Sequence, residues 1–356
     1  MADEVLFERR GPLGHITLNR PAALNALTLG MSLAMERQLT EWAADDGIKA
    51  VLVVGAPSED GKVPFCAGGD IQALYEGRND PDRAFAKSFF RHEYRLDRLI
   101  HHYPKPYIAL IDGVAMGGGV GVSVNGSHRV VTQAATFAMP ETGIGLFPDV
   151  GGTYFLPRCP GRTGMFLALT GTRLKWADAC HVGVATHAVL REQLAALEEG
   201  LAAADWTGDG QATATQVIEG FVGDPGEPPL AALRARIDPL FAQSSVEWIV
   251  RALEAETDDW AAGLLETLRG KSPTSLKVTF RQIVIGARLD YDDCMRLEYR
   301  LARRFAVGND FYEGIRAVVI DKDNAPRWEP AHLEEVSESA VQAYLMPFDE
   351  GDLEFD

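Results

Sequence analysis

Glu141 and Asp149 stand eight residues apart in a stretch, Phe137 to Gly152 (FAMPETGIGLFPDVGG), that is otherwise mostly apolar, glycine or proline. A carboxylate among apolar neighbours is pushed toward its neutral form and can then act as a general base or nucleophile near neutral pH. Two such acids in one pocket can divide acid and base roles if their surroundings separate their pKa values. Each also has a plain structural reading, Glu141 as the cap of a turn and Asp149 as the N-cap of the next helix. On spacing alone both readings stay open.

Two glycine-rich stretches precede this segment: Phe65-Cys66-Ala67-Gly68-Gly69-Asp70-Ile71 and Met116-Gly117-Gly118-Gly119-Val120-Gly121. Glycines between a strand and a helix let the backbone approach a ligand and aim N–H groups at an anion. Two such loops converging on one oxygen would form an oxyanion hole, in which one donor is worth about 10²–10³ in rate. The same glycines could instead serve tight turns and close packing. Other glycine motifs do not fit. Residues 117–121 lack the last glycine of a dinucleotide fingerprint, and Gly55 to Lys62 has five residues where a P-loop has four, with Val63 in place of Ser/Thr. Gly121-Val122-Ser123-Val124-Asn125 has Asn125 where a nucleophile elbow has its second glycine, which weakens Ser123 as a nucleophile.

The elements around these stretches alternate. Residues 4–9 and 14–19 read as a strand pair turned by Gly11-Pro12, and 28–44 as a helix capped by Thr28. The apolar runs 50–54 and 107–111 read as strands buried on both faces, with a helix at 82–101 between them and another strand near 129–132. This predicts an α/β core over 1–190. From about 188 to 270 the pattern is Ala/Leu/Glu-rich and helical, broken at 223–229 (GDPGEPP), which reads as a linker. Helical periodicity resumes over 274–322, so 191–356 forms a mostly helical C-terminal region ending in an acidic, loosely held tail.

Of the 356 residues, 46% are hydrophobic and 24% charged, a balance that supports a buried core. The net charge of −17 argues against nucleic acid and anionic membrane as partners, and no apolar run is long enough to span a bilayer. The four scattered cysteines and eight histidines form no metal-binding spacing, so no metal is expected. The acidic start, MADEVLFERRG, looks like neither a signal nor a transit peptide, which points to a cytoplasmic protein.

Taken together, the three chemistry-bearing stretches and Asn19-Arg20-Pro21 with Leu24-Asn25-Ala26-Leu27 resemble the crotonase (enoyl-CoA hydratase/isomerase) superfamily. Further strings resemble its thioester-hydrolase branch: LALTGTRLK, SPTSLKVTFRQ, EYRLARRF and FYEGIRAVVIDKDNAPRW. The resemblance spans about 5–330 and is weakest over 190–270. It implies a spiral of ββα units and an acyl-CoA substrate whose thioester carbonyl is held by the N–H groups of Gly69 and Gly118. Hydratases of the superfamily use two glutamates, and the position of the first is Gly121 here, while the hydrolase pair Glu141 and Asp149 is intact. The resemblance therefore implies hydrolysis of 3-hydroxyisobutyryl-CoA, a step of valine breakdown, with 3-hydroxypropionyl-CoA as a second substrate. The alternatives are an enoyl-CoA hydratase or isomerase, against which Gly121 speaks, and a non-catalytic acyl-CoA-binding relative, whose signature would be decayed glycine loops and a lost carboxylate. It also places Glu93 against the substrate and Ala67, Gly68, Asp70 and Ile71 at the CoA entrance. CoA belongs to the substrate, so no cofactor is implied, and a homo-oligomer is left open.

Overall fold

The computed structural model describes residues 3–58, 61, 63–349 and 351–355. Part of the Gly55–Lys62 stretch set aside as a P-loop lies outside them. The chain forms two compact units, each assembled from three segments. The first takes residues 1–69, 95–138 and 173–231, and the second 70–94, 139–172 and 232–356.

The first unit is built on a six-stranded sheet. Its strands are β1 (Val5–Arg10), β2 (Leu13–Leu18), β3 (Ala50–Gly55), β4 (Tyr107–Ile111), β6 (His128–Val131) and β8 (His187–Ala188), in the order β1-β2-β3-β4-β6-β8. The first two strands pair antiparallel around Gly11-Pro12, with Val5 opposite Leu18, and every later pairing is parallel. Parallel neighbours need a crossover. Between β2 and β3 this is the helix Leu29–Ala44, whose N-cap Thr28 accepts a hydrogen bond from the Met31 N–H, as expected. It lies so close that a Cβ on Gly14 would come within 2.5 Å of the Trp42 ring.

On the opposite face Leu13, Ala50, Leu52, Ile108, Leu110 and Val130 pack against Leu197, Leu201, Ala214 and Ile218 of the helices Leu194–Ala203 and Gly210–Glu219. The all-apolar strands are thus covered on both sides, as their composition predicts. A second, two-stranded parallel sheet joins β5 (Val114–Met116) and β7 (Thr136–Ala138).

The second unit is helical. Its long helices include Pro273–Gly286, capped by Ser272 with proline in its first turn, and Tyr291–Phe305, capped by Asp290. Acids in the first turn and Arg303 and Arg304 in the last complement the dipole of the latter. The C-terminal tail departs from the expectation of a loosely held segment. Val341 and Leu345 of the helix Glu338–Leu345 are buried, Leu353 is 1% exposed, and Asp352 accepts from Arg300 Nε at 2.6 Å. Counting acids in the tail overlooks the arginines that meet it: Arg303 and Arg304 also stack on the Phe348 ring at 3.8 and 3.9 Å. Among the described residues no helix is long and apolar enough to cross a membrane.

Candidate active site

In the first unit the two glycine stretches run side by side. Cys66 bridges Ala115, the Cys66 N–H donates to Val114 O at 2.9 Å, and the Met116 N–H donates back to Cys66 O at 3.1 Å. The approach is tight enough that a Cβ on Gly119 would sit 2.1 Å from Cys66 O. The loop before it is tied to Leu24-Asn25-Ala26-Leu27: Ala67 N–H donates to Leu24 O and Leu27 N–H to Gly68 O. Asn25 is fully buried, and its amide reaches Ala56 O at 3.0 Å and Pro64 O at 2.8 Å, fastening the end of β3 to the loop that follows.

Packing accounts for Gly119, but it leaves the N–H groups of Gly69 and Gly118 with no hydrogen-bond partner among the described residues. Gly118 opens the short helix Gly118–Val124, where such a group has no intrahelical acceptor. Gly68, at φ 123, is buried. Ser123 is spent on structure, its hydroxyl donating to Gly119 O at 2.7 Å. Position 121 has no side chain to offer, and its carbonyl accepts from the Asn125 amide at 2.9 Å.

In the second unit Asp70 accepts from the Ala73 N–H and so caps the helix Ile71–Glu76, with Ile71 half-buried as its first residue. Glu93, Glu141, Asp149 and Glu298 are all buried, at 3%, 4%, 4% and 0% exposure. Their charges act on one another. Burial pushes the Glu141 carboxyl well above the usual range, and Asp149 and then Glu298 push it further, against its own backbone N–H and Lys271. Glu93 is raised in the same way, by burial first and then by Asp149 and Glu298. Burial lifts Asp149 to about 6, opposed by the hydroxyl of Tyr94, which donates to Asp149 Oδ2 at 2.8 Å.

The capping alternatives fall away here. Asp149 is not a cap, since Gly151 holds the N-cap position of the helix Gly152–Phe155 and the Asp149 carboxylate faces Tyr94. Glu141 opens the 3-10 turn Glu141–Ile144, yet its Oε2 is buried with no hydrogen-bond partner among the described residues. That turn is fixed by Thr142 Oγ1 bonding to Leu169 O, by the Ser272 N–H donating to Thr142 O, and by Gly145. Gly145 has φ 69, and a Cβ there would stand 2.2 Å from Asp310 O, so only glycine fits.

Three residues that act on these acids lie outside the sequence reading: Tyr94, Lys271 and Glu298. Glu298 had a signal. It sits on the same stripe as Tyr291, Cys294, Met295, Ala302 and Phe305, an acid in the buried face of an amphipathic helix. Lys271 had none. Its Nζ lies 3.0 Å from where a Cβ on Gly143 would stand, and burial lowers its pKa while Glu141 raises it. Among the described residues no group of three or more His, Cys, Asp or Glu could hold a metal ion.

Comparison with known proteins bears on this arrangement. The family model described as enoyl-CoA hydratase/isomerase matches residues 13–345. A Danio rerio protein named 3-hydroxyisobutyryl-CoA hydrolase, mitochondrial, is 48% identical over 98% of this chain and 91% of its own length. The Homo sapiens protein of the same name is 43% identical over 99% and 91%. Among solved structures, a carnitinyl-CoA dehydratase from Mycobacterium thermoresistibile superposes with a TM-score of 0.91 at 39% identity, covering 99% of both chains. An enoyl-CoA hydratase from Rhodobacter sphaeroides 2.4.1 gives 0.90 at 37%, covering 99% of this chain and 100% of its own. The mitochondrial names of the relatives overturn the cytoplasmic placement expected from the N-terminus. The physical reason is that an address is read from a targeting segment by its receptor, so acids in a folded body carry no information on compartment.

Proposed function

The chain belongs to the enoyl-CoA hydratase/isomerase family, and on that premise we propose that it hydrolyses 3-hydroxyisobutyryl-CoA to 3-hydroxyisobutyrate and CoA. The observation that carries this reading is the pair formed by a buried Glu141 carboxylate with an unpartnered oxygen and an Asp149 held by Tyr94, in a chain whose residue 121 is glycine. The relatives named for this reaction support it.

In the proposed reaction the thioester carbonyl accepts hydrogen bonds from the N–H groups of Gly69 and Gly118, which stabilise the developing oxyanion. Glu141 either attacks the carbonyl carbon or takes a proton from a water that attacks the thioester instead. Direct attack expels the CoA thiolate, which takes up a proton, and gives an acyl-enzyme anhydride that water then opens to 3-hydroxyisobutyrate and the free Glu141 carboxylate. Asp149 orients the 3-hydroxyl and assists Glu141 or the departing thiol. Glu93 contacts the acyl group, while Ala67, Gly68, Asp70 and Ile71 line the CoA entrance. 3-Hydroxypropionyl-CoA is the second substrate, valine breakdown is the setting, and no cofactor takes part. Thiol release from 3-hydroxyisobutyryl-CoA tests the assignment. Glu141→Gln should lower kcat by about 10²–10⁴, the range for loss of a general base; near wild-type release would end the reading. In oxygen-18 water under single turnover, label in the Glu141 carboxylate marks the anhydride route.

The dehydratase and hydratase titles of the two solved structures raise a second reading, water addition to an enoyl-CoA. Gly121 supplies no second carboxylate for it. Hydration of crotonyl-CoA without thiol release would favour that reading over hydrolysis.

A further inference from the structure

The backbone around Asp149 is bent into the left-handed region twice, at Val150 (φ 51) and Gly151 (φ 94). For a β-branched residue this is a strained conformation, which persists only where the surroundings impose it. Two buried side chains do so. Glu298 accepts from the Gly151 N–H at 2.9 Å through one oxygen and from the Thr153 N–H at 2.8 Å through the other. From the other flank, the Gln282 amide nitrogen donates to Pro148 O at 2.6 Å and to Thr153 Oγ1 at 2.7 Å. Both side chains are fully buried.

We propose that Glu298, with Gln282 as its counterpart, is a positioning residue that aims the Asp149 carboxylate and thereby sets the demand for a hydroxyl on the third carbon of the acyl group. The proposal rests on the reading of Asp149 given above. Two N–H donors arriving on two oxygens suit a carboxyl group, both of whose oxygens accept, whereas an amide would present an N–H₂ to one of them. Burying that acid beside Asp149 is costly to the fold: burial first, and Asp149 in addition, disfavour its charged form and lift it to about 8. An apolar residue would pack there at less cost but would leave the kink unheld.

The test compares kcat/KM for 3-hydroxyisobutyryl-CoA and for isobutyryl-CoA, which lacks the hydroxyl, in wild type, Glu298→Gln and Asp149→Asn. The ratio of the two should fall about tenfold or more in both variants, the size of a lost hydrogen bond to a charged group. An equal fall on both substrates in Glu298→Gln, leaving the ratio intact while Asp149→Asn loses it, overturns the positioning role alone. A ratio preserved in Asp149→Asn overturns the hydroxyl reading and the positioning role with it. If Glu298→Gln gives no folded protein, Gln282→Met makes the same test from the other flank, with the same loss of ratio expected and a preserved ratio overturning the role.

Discussion

Asp149 and Glu298 both act against ionisation of Glu141, and the positive charge of Lys271 acts in its favour. A nucleophile or base must be ionised at the moment of reaction, yet burial and Asp149 both favour the neutral acid. Lys271 opposes them. Replacing it by methionine keeps most of the stem and removes the charge, so the Glu141 pKa should rise further. The sign fixes the profile: loss of kcat/KM in Lys271→Met should be greatest on the acid side and smallest near pH 9, where Glu141 is more fully ionised. A pH–rate profile measured by thiol release checks this, and a uniform loss at every pH would assign Lys271 to packing instead. Nothing in the local pattern marks Lys271, because its effect depends on Ser272 holding the start of a distant helix against the Glu141 turn.

At the scale of elements, the close approach of Gly119 to Cys66 fixes where the neighbouring Gly118 N–H points. A methyl group at 119 would stand 2.1 Å from a backbone oxygen, and the backbone must shift to make room. Gly119→Ala should therefore lower kcat by about 10²–10³, as for loss of an oxyanion donor, and cost about 1–3 kcal/mol of stability through overpacking. Gly208→Ala, with nothing within 4 Å of the added carbon, is the control and should leave kcat unchanged. Wild-type turnover in Gly119→Ala would remove Gly118 from the reaction.

The same scale explains what could be read from sequence. The hairpin around Gly11-Pro12, the cap at Thr28 and the doubly covered strands β3 and β4 follow from local residue choice. Glu141 and Asp149 could be singled out by residue type and surroundings. The Tyr94 bond to Asp149 could not, nor could Glu298 reaching Gly151 across 147 positions, because both depend on pairing of distant segments. The order of the acidic tail has the same origin, as Arg300 meets Asp352 from 52 residues away.

For the whole molecule, two sources of pH dependence have to be separated. A net charge of −17 makes the folded surface self-repelling as pH rises, an effect that salt screens. The buried acids act differently. In the unfolded chain they titrate near about 4, whereas the fold lifts Asp149 to about 6 and Glu298 to about 8. Between these limits the native state keeps protons that the unfolded chain has released, so stability falls as pH rises. Glu247, Glu313 and Asp352, lowered by Lys277, Arg316 and Arg300 respectively, contribute in the opposite sense, and what they add is lost only as pH drops below the ordinary carboxylate range. The melting temperature should thus be highest in mild acid and decline from pH 5.5 to 8.5. Glu298→Gln loses a group that binds its proton more tightly when folded, so its decline should be shallower than that of wild type. At 0.5 M salt the surface contribution shrinks, and the difference in slope between the two proteins should persist. Melting curves at matched pH and salt decide the matter: parallel slopes for wild type and Glu298→Gln would mean that Glu298 does not exchange its proton over this range.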